Sequence, residues 1–216
     1  MENFMKKYIL TAAAVLAATA AYATDLPSKK AAPVAAAAPA AAAKTSDDSL
    51  SVSYGQDLGT NFGSKVDDAY TVSYKHNIGG GFSAGAQAST TQAPNANLKQ
   101  NLEAQVGYAL PAMYGVVVSG KGGIGERFVD TGNFPYYAVY GNADYKLGPI
   151  TINAAQYRYR SAIDSATYGY QSHQVGTGVT YDINDTYSVS AKVTRSYDTS
   201  FNATGDAVTG GLTIKF

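Results

Sequence analysis

The sequence predicts an all-β fold, a single antiparallel up-and-down transmembrane β-barrel of about 10 strands, with 8 or 12 as the neighbouring even counts. Three observations predict it. Tyr74, Tyr108, Tyr145, Tyr181 and Phe216 recur at intervals of 34, 37, 36 and 35 residues. The first four each close a segment of alternating apolar and polar residues and precede a short turn. Between those short turns lie longer polar connections, so short and long links alternate as in a meander.

The strands expected are 50–58, 69–76, 82–90, 99–109, 115–126, 135–145, 150–161, 171–182, 187–197 and 207–216. Each is close to the ~9–11 residues a tilted membrane strand needs. The short turns are 77–81, 110–114, 146–149 and 183–186, built from Gly, Pro and Asn-Asp pairs that accept tight-turn backbone angles. The longer connections are about 59–68, 91–98, 127–134, 162–170 and 198–206. Side chains alternate across a strand. One face therefore carries Tyr70, Val72 and Tyr74, then Phe82, Ala84, Ala86 and Ala88, then Val116 and Val118, then Tyr187, Val189, Ala191 and Val193. The other carries Ser73, Ser83, Gln87, Gln105, Asn142, Asn153, Gln174, Ser188 and Ser190. Charged residues, 15% of the chain, mostly avoid the apolar face. A soluble barrel would reverse this polarity, whereas lipid demands it.

The last strand shows the pattern most clearly. Val208, Gly210, Leu212, Ile214 and Phe216 share its apolar face, and its closing partner should be 50–58, with Val52 and Tyr54 outward. Strand 150–161 tests the rule, because strict alternation from Ile150 would aim Arg158 and Arg160 at lipid, at about 2–4 kcal/mol for an arginine at the midplane. A one-residue bulge near Ala154–Ala155 would turn Tyr157 and Tyr159 outward and both arginines inward. Tyr74, Tyr108, Tyr145 and Tyr181, with Phe82, Tyr187 and Phe216, then form an aromatic girdle at the periplasmic interface. Tyr70, Tyr137, Tyr157, Tyr159 and Tyr197 form a looser ring at the outer one.

Residues 1–23 read as a secretory signal: Lys6 and Lys7, an apolar run from Tyr8 to Ala20, and the small-x-small site Ala21-Tyr22-Ala23. Residues 24–49 read as an Ala/Pro-rich periplasmic linker, with prolines at 27, 33 and 39 interrupting the alanines. Either it is a plain spacer or it touches cell wall through Lys29 and Lys30. The barrel occupies 50–216. Without Lys6, Lys7 and Glu2, the 16 basic and 16 acidic residues become 14 and 15, which offers nothing to nucleic acid. The chain has no cysteine, so neither a disulfide nor a lipidated cysteine is available.

The whole segment after the signal resembles a small Gram-negative outer-membrane β-barrel. Its start, Thr24-Asp-Leu-Pro-Ser-Lys-Lys-Ala-Ala-Pro33, resembles the leader-proximal segment of alphaproteobacterial porin-like outer-membrane proteins. In such barrels a final Phe preceded by alternating apolar residues is the mark read by the barrel-assembly machinery, and Phe216, Ile214 and Leu212 match it. The resemblance implies outer-membrane lipid, lipopolysaccharide and that machinery as partners. It carries no activity over, since such barrels serve as pores, adhesins and enzymes.

The interior should hold the charges Glu103, Lys121, Asp144, Arg158, Arg160 and Lys192. A turn centred on Ala112 would set Glu103 opposite Lys121. These charges serve either as a selectivity lining or as ion pairs that fill a narrow barrel. Gly120-Lys-Gly-Gly-Ile-Gly125 fits the dinucleotide fingerprint, but no helical pattern follows it, so the glycines read as a bend or close inner packing. His76 and His173 have no second ligand at metal spacing, and no cofactor or metal is expected. The main functional expectation is a non-enzymatic barrel, porin-like or structural, passing small solutes if it conducts. One alternative is a rim hydrolase at His173, with Ser172 and Asp164 or Asp68. The other is an adhesin acting through loops such as Ser165–Tyr170.

Overall fold

A computed structural model describes residues 48–92, 98–130 and 132–216; the signal and nearly all of the linker expected from the sequence lie outside the described residues. Ten strands run in order: β1 (Asp48–Leu58), β2 (Lys65–Gly79), β3 (Phe82–Gln92), β4 (Lys99–Ala109), β5 (Val116–Val129), β6 (Gly132–Leu147), β7 (Ile150–Ala162), β8 (Gln171–Asp182), β9 (Tyr187–Tyr197) and β10 (Ala203–Lys215). A four-residue helix, α1 (Ser165–Tyr168), sits between β7 and β8. Every strand pairs antiparallel with its neighbour in sequence, and β1 pairs with β10, so the sheet closes. The closing seam sets Val52 against Leu212 and Leu50 against Ile214, as the shared apolar face requires.

The strands reach further than the sequence pattern suggested. β1 starts at Asp48, inside the expected linker, because the Asp48 and Phe216 backbones bond each other at 3.2 and 3.0 Å. At the other end β5 and β6 continue until Val129 pairs with Gly132, which removes most of the connection expected at 127–134. Polar residues there still pair as strand, since ladder bonds do not depend on hydropathy.

The predicted bulge is present. Ala143 pairs with Ala155 and Asp144 with Asn153, leaving Ala154 as the extra residue. Ile150 and Ile152 thus face out on one side of it and Tyr157 on the other. Arg160 faces in and is 4% exposed.

The β4–β5 turn corrects the expected register. Tyr114 and Gly115 both take positive φ, 52° and 81°, between a Met113–Val116 bridge. A two-residue turn of this kind matches the twist of a hairpin and needs a residue such as Gly in its second place. The turn therefore centres beyond Ala112, and Glu103 lands opposite Gly125, while Lys121 lands opposite Gly107.

The polarity of the barrel is inverted relative to a soluble one. Outward Val106 and Ile124 are each 68% exposed, whereas inward Tyr136 and Glu103 are 0% and 1% exposed. Among the described residues no helix is long and apolar enough to cross a membrane.

Candidate functional site: the barrel lumen

The lumen is assembled by inward parity on each strand. On β6, counting back by twos from outward Tyr145 puts Val139 and Tyr137 outside and Tyr136, Ala138 and Tyr140 inside. Tyr136 and Tyr140 are the residues that organise the site, and the sequence reading overlooked them although the parity was available.

Glu103 on β4 is the centre of a buried network. Its carboxylate accepts from Tyr140 Oη at 2.5 Å, Gln105 Nε2 at 2.6 Å and Tyr136 Oη at 2.9 Å. Arg160 on β7 reaches it at 3.1 Å and also donates to Tyr140 Oη at 3.1 Å. The ion partner of Glu103 is thus Arg160, not Lys121. Glycines make room for this cluster: a Cβ on Gly123 would sit 2.8 Å from Glu103 Oε1, and one on Gly125 would sit 2.8 Å from Tyr136 Oη. Inner packing explains these two. Gly122, on the outer face, has open space.

Lys121 on β5 donates to Gln105 Oε1 at 2.9 Å, and its ammonium lies 4.5 Å from the centre of the Tyr140 ring. Asp144 accepts from Asn153 Nδ2 at 2.8 Å. Arg158 and Lys192 face the same interior, and among the described residues neither has an ion pair or a side-chain hydrogen bond; Arg158 Nε is enclosed without a partner. The structure thus brings Glu103, Lys121 and Arg160 into one connected group, sets Arg158 and Lys192 beside it, and keeps Asp144 apart.

Toward the loop end aromatics pack on one another. Phe134 stacks on Tyr168 of α1 at 4.6 Å and contacts Tyr170 at 5.5 Å. Arg127 lies 4.6 Å from the Tyr170 ring and donates to Asn101 at 3.0 Å. Two tyrosines of the 165–170 loop are therefore docked on the barrel.

On the outer face, Tyr108, Tyr145 and Tyr181 are exposed, and Tyr74 donates to Asp48. Phe82 packs on Tyr108 at 4.7 Å. Leu212 and Phe216 are exposed on the same side of the sheet, with Ile214 partly so. Near the loop end, Tyr137 meets Tyr159 at 5.9 Å, and His173 lies between Tyr159 and Phe201, 4.8 Å from each.

The residues of the alternative rim hydrolase are not brought together. Ser172 and His173 are adjacent on a strand and so face opposite sides of the sheet. His173 Nδ1 bonds Tyr157 Oη at 2.7 Å. Asp164 caps α1 through the Thr167 amide, and Asp68 takes Lys65 and Tyr54.

One clamp has no counterpart in the sequence reading. Asp206, 3% exposed, accepts from Arg195 at 2.6 and 2.9 Å and from the Phe62 amide at 2.9 Å. It ties the β1–β2 loop to β9 and β10, and only the closed barrel brings these segments together.

No family model matches the sequence. No curated protein matches it either. Solved structures that resemble the barrel include Neisserial surface protein A, 14% identical over 78% of this chain and 96% of its own, with a TM-score of 0.36. The KdgM porin is 13% identical over 78% of this chain and 99% of its own, at 0.43. The NanC porin is 10% identical over 77% and 100%, at 0.45. None of these likenesses bears on more than architecture.

Proposed function

We propose that this chain is a non-enzymatic outer-membrane β-barrel whose lumen is a narrow passive pore for small solutes. The observation that carries the reading is the accessibility of one inner wall. Inward Ser51, Ser53, Thr71, Ser73, Thr209 and Thr213 are only partly buried, on strands whose outer face carries exposed Val52, Leu212 and Val208. A closed sheet that is apolar outside and small and polar inside suits hydrocarbon around it and water within it.

In this reading residues 1–23 export the chain and the stretch from 24 up to β1 lies in the periplasm, with cell-wall contact open to Lys29 and Lys30. The outward aromatics Tyr74, Tyr108, Tyr145 and Tyr181 sit at the periplasmic headgroups, and the outer face meets lipid and lipopolysaccharide. Phe216, Ile214 and Leu212 present the assembly mark, so deleting Phe216 harms assembly more than stability. The charges Glu103, Lys121, Arg158, Arg160 and Lys192 line the path, with Asp144 nearer the turn end.

Planar-bilayer recording of the refolded protein tests the pore. Discrete conductance steps, together with heat-modifiable migration on a gel, are the expected result. A heat-modifiable barrel that never conducts would make the role structural.

A further inference from the structure

We infer that Arg158, Lys192 and Lys121 form an oxyanion site inside the lumen, and that the barrel passes acidic solutes in preference to cations. The inference rests on the pore reading and adds the class of solute.

Lys121, Tyr140 and Arg158 are successive partners across β5, β6 and β7, so they form one rung of the inner wall. Lys192 projects from β9, its stem against Gly178, where a Cβ would be 3.2 Å from that of Lys192. The charges of Arg158, Lys121 and Arg160 all bear on Lys192. With Asp144 on the rung that runs through Asn153 and Gly178 to Lys192, four cations feel one another's charge around one carboxylate of the network, Glu103. That carboxylate is already occupied by two tyrosines, Gln105 and Arg160. Among the described residues no carboxylate lies within ion-pair distance of Arg158, Lys121 or Lys192. Asp57 and Asp67 face each other across β1 and β2 toward the loop end. The charge of Arg158 reaches Asp57, but no bond joins them.

Like charges held together without counter-charges are costly unless an anion joins them. Arg158 adds geometry to charge, since its Nε has no protein partner and a guanidinium edge matches the two oxygens of a carboxylate or phosphate. On β8 the partner of Arg158 is Gln174, which donates to Ser196 at 3.3 Å and not to an acid. Tyr140, between Lys121 and Arg158 on the rung, gives its hydroxyl to Glu103, so that acid's lone pairs are taken up by its own partners.

Reversal potential across a KCl gradient reads the selectivity directly. A cleft lined with one sign of charge concentrates counter-ions about tenfold or more, so a chloride-to-potassium permeability ratio of that order is expected. In R158Q/K192Q the ratio should fall toward one. A wild-type ratio at or below one overturns the inference and leaves the pore reading standing. If the barrel carries no current, the pore reading fails and the site is judged by heat-induced unfolding in sodium sulfate against sodium chloride at matched ionic strength. A sulfate-specific rise in the wild type that is absent from R158Q/K192Q sustains the site. Equal responses in the two proteins overturn it. Heat-modifiable migration of each variant shows that it is folded, and K192S replaces the pair if R158Q/K192Q does not assemble.

Discussion

The two inner walls of the barrel are built on opposite principles. Along β4 to β7 the lumen side carries Glu103, Gln105, Lys121, Tyr136, Tyr140, Arg158 and Arg160, all but Arg158 joined by side-chain bonds, with Glu103, Tyr136 and Arg160 buried. Along β9, β10 and β1 to β3 it carries mostly Ser, Thr, Gly and Ala, with isolated bonds such as Ser51 Oγ to Thr213 Oγ1 at 2.7 Å. Both walls have the same backbone ladder and the same apolar exterior. The difference teaches that closure needs only the ladder and the outer face, while the inner residues are free to differ from wall to wall. A barrel of about this strand number can be filled or open, and here the bulky filling is concentrated on one wall, although Ser188 and Thr194 of β9 are buried too.

Several substitutions break or sharpen this contrast. Deleting Ala154 removes the bulge, so either Ile150 and Ile152 turn into the lumen or Arg158 and Arg160 turn out. With about 2–4 kcal/mol for each arginine exposed to hydrocarbon, the yield of heat-modifiable barrel on refolding should collapse. On the packed wall, R160M strands the buried Glu103 charge, and such a break costs about 3–5 kcal/mol. On the other wall S53A should stay within about 0.5 kcal/mol of wild type. Urea unfolding of both in the same detergent gives the comparison, and equal losses would erase the distinction between the walls.

Within one glycine run the two faces can be set against each other. G125A places a Cβ against the Leu102 carbonyl and Tyr136, and overpacking of this kind costs about 1–3 kcal/mol. G122A points into open space, and its urea midpoint should match wild type. On the open wall S73Y narrows the path, so single-channel conductance should drop while the unfolding midpoint holds. The smallest effect is expected in the β9–β10 loop. The amides of Asn202 and Ser200 hold the Asp198 carboxyl below the usual carboxylate range. That loop is therefore fully ordered above the ordinary Asp value of ~3.9 and loosens as pH falls below it toward the lowered one. Faster exchange of the Asn202 amide below that pH, absent in D198N, checks the sign.

Much of the barrel was legible because two periodicities agreed. Alternation marked the faces, and the Tyr/Phe spacing marked the strand ends. The bulge was legible too, since Arg158 and Arg160 could not be left outside. The β4–β5 register was not, because the middle of the 110–114 turn is Ala112, whereas the left-handed angles of Tyr114 and Gly115 place the turn later. That shift moved the partner of Glu103 from Lys121 to Arg160, a contact 57 residues away in sequence. The Asp206–Arg195–Phe62 clamp was invisible for a similar reason. It joins the first loop to the last strands, which become neighbours only on closure. The pairing of the interior charges depended on contacts between strands that no local pattern encodes.

The central claim is that one face of the sheet meets lipid, and that the inner face is packed shut beside Ala138 but open along the Ser/Thr wall. The absence of native cysteine allows a direct reading. S53C, V52C and A138C, each refolded into lipid vesicles, are exposed to a membrane-impermeant maleimide. The account predicts labelling of S53C alone, with V52C shielded by hydrocarbon and A138C by the packed wall. Labelling of V52C as fast as S53C would contradict it.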